Sequence, residues 1–63
     1  MPTIRIDMVE GRTVEQKREL ARRITDAVVD VTGARPERVT IYFRDLAKGD
    51  VSQGGKLRCD SDS

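Results

Sequence analysis

Two residues offer chemistry that the rest of the chain does not: Pro2 and Arg12. Met1 precedes a small second residue and is therefore of the kind normally removed in the cell. The trimmed chain begins with a proline whose nitrogen is a free secondary amine. An ordinary α-amine titrates near about 7.7–8.0. Nearby cations and desolvation lower that value and leave a neutral base at pH 7. Such a base can take a proton from carbon next to a carbonyl and return it elsewhere. A retained Met1 turns the same nitrogen into an amide and removes the base. Proline can also simply start a strand, where no ladder bond is lost. Arg12 carries a guanidinium that can grip a carboxylate bidentately and add positive potential near an amine. The plain alternative for Arg12 is a solvated surface side chain.

The elements between and around these residues follow from periodicity. Thr3 to Val9 alternates, with Ile4, Ile6 and Met8 on one side and Thr3, Arg5, Asp7 and Val9 on the other. Period two with β-branched residues predicts a strand with one well-buried face. Glu10-Gly11-Arg12 breaks the pattern as a turn. Thr13 followed by Gln16 three residues later is a capping-box pattern and opens a helix. Val14, Leu20, Ala21, Ile24, Ala27, Val28 and Val31 recur at helical intervals, which predicts an apolar stripe on a helix from about Val14 to Thr32. Glu19 with Arg23 and Arg22 with Asp26 form i, i+4 pairs on the solvated face. Gly33 is a stop, with Pro36 shortly after. Val39 to Leu46 is rich in strand formers and gives a second strand. Strand, helix, strand in this order is a βαβ unit with parallel strands and a right-handed crossover. Gly54-Gly55 suits a short hairpin near Ser52 to Leu57, and Cys59 to Ser63 reads as a flexible polar tail.

Composition limits the alternatives. At 63 residues the chain holds one domain, near the lower size for independent folding. Small chains of this kind usually need disulfides, a metal or partner subunits. Cys59 is a lone cysteine, so no intrachain disulfide forms, and the absence of histidine removes a structural zinc set. Self-association is the remaining option. Twelve basic against 11 acidic residues give a net charge of +1, which provides no global attraction to nucleic acid or anionic lipid. No apolar run approaches a membrane span and no targeting segment is read, so the expectation is a cytoplasmic protein. There is no histidine base, no Ser–His–Asp set and no phosphate-binding glycine loop.

Pro2 with an alternating strand, Glu10-Gly11-Arg12-Thr13, Glu15-Gln16-Lys17, Ala47-Lys48-Gly49 after the second strand and Gly54-Gly55 resemble the 4-oxalocrotonate tautomerase family. The resemblance covers essentially residues 2 to 57. It implies an α+β fold, a β-α-β unit with a C-terminal hairpin over residues 2–58, followed by the tail 59–63. It implies pairing into a four-stranded sheet and assembly of three such dimers into a homohexamer. It also implies a cofactor-independent isomerase that interconverts enol and keto forms of a small 2-hydroxydienoate or 2-keto acid, as in aromatic-compound catabolism. Pro2 would be the catalytic base and then acid, and Arg12 would bind the substrate carboxylate. Val9, Thr40 and Val51 would line the pocket, completed by neighbouring subunits.

Two positions depart from the family pattern. The best-known members carry a second arginine at the position of Thr40 and an aromatic wall at that of Val51. Arg38 and Arg44 share the strand parity of Thr40 and are candidate replacements. The departures fit monocarboxylate enols such as phenylpyruvate. They also fit a non-catalytic or pocket-contributing subunit of a mixed oligomer. A hydratase or dehalogenase-type relative, using the protonated amine, is a further alternative within enzymes. Nucleic acid and membrane are not expected partners, and Cys59 is assigned no role.

Overall fold

The computed structural model describes residues 2–61; Met1, Asp62 and Ser63 lie outside the described residues, and with them the expected trimming of Met1 and the end of the expected tail. The chain is α+β. Strand β1 (Thr3–Val9) leads to helix α1 (Val14–Thr32), a 3-10 turn (Pro36–Arg38) and strand β2 (Thr40–Leu46). A second 3-10 turn (Lys48–Asp50) precedes the short strands β3 (Ser52–Gln53) and β4 (Lys56–Leu57), and a single helical turn, α2 (Arg58–Ser61), follows.

Strands β1 and β2 pair in parallel, from Thr3 opposite Thr40 to Val9 opposite Leu46. The ladder is prolonged at both ends: the Thr40 amide donates to the Pro2 carbonyl at 3.0 Å, and the Glu10 amide to the Leu46 carbonyl at 2.8 Å. Strand β3 pairs with β4 in antiparallel fashion around Gly54 and Gly55, with φ of 62° and 80°. Left-handed φ at both central residues of a two-residue loop is the type I′ pattern, whose twist matches that of the flanking strands.

Helix α1 starts and stops where its sequence dictates. The Thr13 hydroxyl accepts from the Gln16 amide at 3.0 Å, and the Gln16 side-chain oxygen accepts from the Thr13 amide at 2.9 Å. The Gly33 amide closes the last turn on the Val29 carbonyl at 2.9 Å. The outer face carries the anticipated pairs: Arg23 to Glu19 at 2.6 Å and Arg22 to Asp26 at 3.5 Å, with Arg22 also bonded to Glu19.

The inner faces are only partly covered. Ile4, Ile6, Met8, Ile41 and Phe43 on the sheet, and Leu20, Ala21, Ile24 and Val28 on the helix, are half-buried; none of the described residues is buried outright. The expected helical stripe therefore splits. Val14 is 62% exposed and Val31 82% exposed, and Ala27 also faces solvent. Val31 overhangs because a 19-residue helix runs about 28 Å while seven strand residues run only about 20 Å from first to last. The molecule measures 43 × 23 × 14 Å, with a radius of gyration of 14.8 Å. A close-packed chain of this length would have a radius near about 11 Å. The segment after β2 packs mainly on itself, with the Arg58 amide bonded to the Val51 carbonyl at 2.7 Å.

Candidate active site

Pro2 and Thr40 lie together at the N-terminal edge of the sheet. Parallel pairing brings the starts of both strands to the same edge, and the Thr40–Pro2 backbone bond fixes them there. Both residues are half-buried. Arg38 belongs to the 3-10 turn that delivers the chain to Thr40, so it lies at this same edge, exposed.

Val9 and Arg12 lie at the other edge. Six strand steps of about 3.3 Å separate Thr3 from Val9, a span of about 20 Å. Arg12 follows in the crossing from β1 to α1, where Gly11 adopts a φ of 120°. Arg12 is exposed and has no hydrogen bond or ion pair with the described residues. Val51 follows β2 and the second 3-10 turn, and is half-buried within the C-terminal segment. One chain thus places the candidate residues in two separate clusters: Pro2 with Thr40, and Val9 with Arg12. A single small carboxylate cannot touch Pro2 and Arg12 of the same chain.

Arg44 belongs to neither edge cluster. It pairs with Asp7 in the register, about 13 Å along β2 from Thr40. With Arg5, Asp7 and Tyr42 it lines an open cavity of about 310 Å³ on the sheet face away from the helix. The Arg5 guanidinium lies 5.9 Å from the centre of the Tyr42 ring.

One interaction near Arg12 was not anticipated. The Lys17 ammonium donates to the Asp45 carboxylate at 2.7 Å, joining the first turn of α1 to the end of β2. Its trace in the sequence was a charged residue at an inward position of each element. On the outer face of α1, hydrogen bonds from Arg22 and then Arg23 hold the Glu19 carboxyl below the usual carboxylate range. The same Glu19 bond raises Arg22. Among the described residues no group of His, Cys, Asp and Glu side chains is arranged to hold a metal ion, and no helix is long and apolar enough to cross a membrane.

Residues 2–59 match the tautomerase enzyme family. The chain belongs to the tautomerase family. It is 45% identical over 58 residues to a probable tautomerase of Streptococcus pneumoniae, which covers 92% of this chain and 97% of that relative. It is 38% identical over 60 residues to the 2-hydroxymuconate tautomerase of Bacillus subtilis, covering 95% and 97% of the two chains. Among solved structures it superimposes on a heterohexamer 4-oxalocrotonate tautomerase from Chloroflexus aurantiacus with a TM-score of 0.90 and 29% identity, covering 98% of this chain and 100% of that one. The solved tautomerase shares this β-α-β architecture over nearly the whole chain.

Proposed function

We propose that this tautomerase, once Met1 is removed, interconverts the enol and keto forms of a small 2-hydroxydienoate or related 2-keto acid. The neutral Pro2 amine takes the proton of the 2-hydroxyl. The O–H electrons form the C=O bond as the conjugated π electrons move along the chain, and the Pro2 ammonium returns the proton to a distant carbon. Arg12 holds the carboxylate by two parallel hydrogen bonds and favours charge drawn toward that end. Atoms and electrons balance with no other reactant; the amine moves the proton and the arginine holds the charge, so these residues do the work a metal or organic cofactor would otherwise do.

The observation that carries this reading is the pinning of Pro2 at the sheet edge by the 3.0 Å bond from Thr40, within a tautomerase fold. Because Arg12 lies at the opposite edge, the site is completed between copies of the chain, in a homo-oligomer and most economically a hexamer. The absence of a buried residue among the described residues of the single chain supports the same assembly. Thr40 places no charge beside Pro2 and Val51 offers no aromatic wall, which favours a substrate with one carboxylate. Likeness to a 2-hydroxymuconate tautomerase supports the dienol class.

Pro2→Ala is expected to lower ketonisation of a 2-hydroxydienoate by roughly 100-fold or more, the usual scale for a general acid–base group, with assembly intact. Full turnover by that variant rejects the role given to Pro2. An intact-mass measurement of the active preparation must find Met1 absent. A rate that rises as one group loses its proton fits a tautomerase; a rate that needs the group charged points to hydration or dehalogenation. The relative that is a heterohexamer supports a second reading, in which this chain supplies half-sites to a different chain. An active homo-oligomer of the purified chain rejects it.

A further inference from the structure

The two periodicities of the fold are broken at one place. On β2 the inward positions run Ile41, Phe43 and then Asp45. On α1 the inward positions run back from Val28 through Ile24 and Leu20 to Lys17. Each series ends in a charge where its pattern calls for an apolar side chain. Those two charges meet at 2.7 Å, with side-chain exposures of 23% for Lys17 and 45% for Asp45. Other ion pairs among the described residues run within α1 and are more exposed on average. An ion pair at this level of exposure adds little stability of its own, and the best-attested use of a pair that bridges two elements is to fix register. Departures from a consistent pattern tend to mark functional positions.

The pair lies where it can fix Arg12. Asp45 is opposite Met8 in the ladder, and the next residue, Leu46, accepts from the Glu10 amide at 2.8 Å. Lys17 lies one helical turn beyond Thr13, and its amide bonds the Thr13 carbonyl at 3.1 Å. The Thr13–Gln16 capping box locks that first turn. Arg12 is thus suspended between Glu10, tied to β2, and Thr13, tied to a helix turn that is itself tied to β2 through Lys17 and Asp45. Its own side chain has no partner among the described residues, so what the contacts on either side hold is the backbone from which it projects.

We propose that Lys17 and Asp45 are positioning residues for Arg12: their ion pair sets the register of the first turn of α1 against the end of β2, and thereby the point at which the Arg12 guanidinium is presented to a substrate carboxylate. This rests on the role given to Arg12 above.

The test measures kcat and KM of the assembled protein for a 2-hydroxydienoate that carries a single carboxylate. Lys17→Met is expected to lower kcat/KM about tenfold, mainly through KM. Asp45→Asn, nearly isosteric and so protected against a folding failure of the first variant, is expected to act in the same direction. The shared direction is diagnostic. Lys17→Met removes a positive charge and Asp45→Asn a negative one, so a simple field effect on an anionic substrate moves the two variants oppositely. In an Arg12→Ala background, either change is expected to alter kcat/KM less than twofold. Exchanging the partners, Lys17→Asp with Asp45→Lys, is expected to recover at least half of the lost activity. Opposite effects of the two single variants, unchanged KM in both, or an equal tenfold loss with and without Arg12 each overturn the proposal. Arg12→Ala measured alone tests the underlying reading: if it retains the parent KM, that reading fails, and the positioning role fails with it. A loss in Arg12→Ala with none in Lys17→Met or Asp45→Asn leaves the reading standing and removes only the positioning role.

Discussion

Pro2 and Arg12 are residues whose types suit the tasks proposed for them but whose places in one chain do not meet. The Pro2 carbonyl accepts from the Thr40 amide, so position 40 lies at the same end of the sheet as Pro2. Thr40→Arg is therefore expected to raise kcat/KM for a dicarboxylate dienol about tenfold relative to a monocarboxylate, since a charged hydrogen bond contributes about 1.5–3 kcal/mol. Steady-state kinetics on the two substrate classes check this; an unchanged ratio shows that position 40 does not face the second anion. Arg12→Ala is expected to raise KM ten- to 100-fold, on the same charged-bond scale. Cys59, exposed beside Asp60, takes no part in either edge cluster.

At the scale of elements, the helix carries stability that can be read separately from catalysis. Thr13→Ala removes one half of the capping box and is expected to cost about 1 kcal/mol, seen as a lower thermal midpoint. Glu19 is bonded by two arginines and its carboxyl is held below the usual range. A depressed carboxylate stabilises the fold above its unfolded value, near about 4.3, and that contribution is lost as pH falls through the folded value. The thermal-midpoint difference between the parent and Glu19→Gln is therefore expected to be small and salt-sensitive at pH 7, because the pair is exposed, and to vanish in acid. A difference that grows in acid contradicts the assignment.

These elements were also the most legible in the sequence. Thr3–Val9 and Val14–Thr32 end where alternation, the capping box and Gly33 end them, because each signal is local. The second strand begins at Thr40 rather than Val39, since Val39 closes the 3-10 turn onto the Pro36 carbonyl at 3.2 Å. Neither 3-10 turn nor the α2 turn had a periodic trace, being too short to show one. The helical stripe was overextended to Val14, Ala27 and Val31 because periodicity reports which way a side chain points, not whether anything lies opposite it.

The whole molecule has a consequence that no single element does. A sheet of two strands with one helix leaves every apolar side chain of its interior partly wet. Val31, near the end of the helix, is 82% exposed, and the molecule is more extended than a compact fold of its length. Folding is therefore expected to be coupled to association, so that the thermal midpoint rises with protein concentration. Melts over a hundredfold range of concentration, with sedimentation alongside, measure this. A concentration-independent midpoint in a monomer contradicts it.

The sequence alone determined the order and type of the main elements, the capping of α1, the hairpin at Gly54-Gly55 and the family resemblance, because all of these reside in neighbouring residues. Only the tertiary structure decided that Pro2 and Arg12 stand at opposite edges of one sheet and that Lys17 meets Asp45. Those relations depend on the parallel register of β1 against β2 and on the helix crossing between them, and no local pattern along the chain encodes a distance across it.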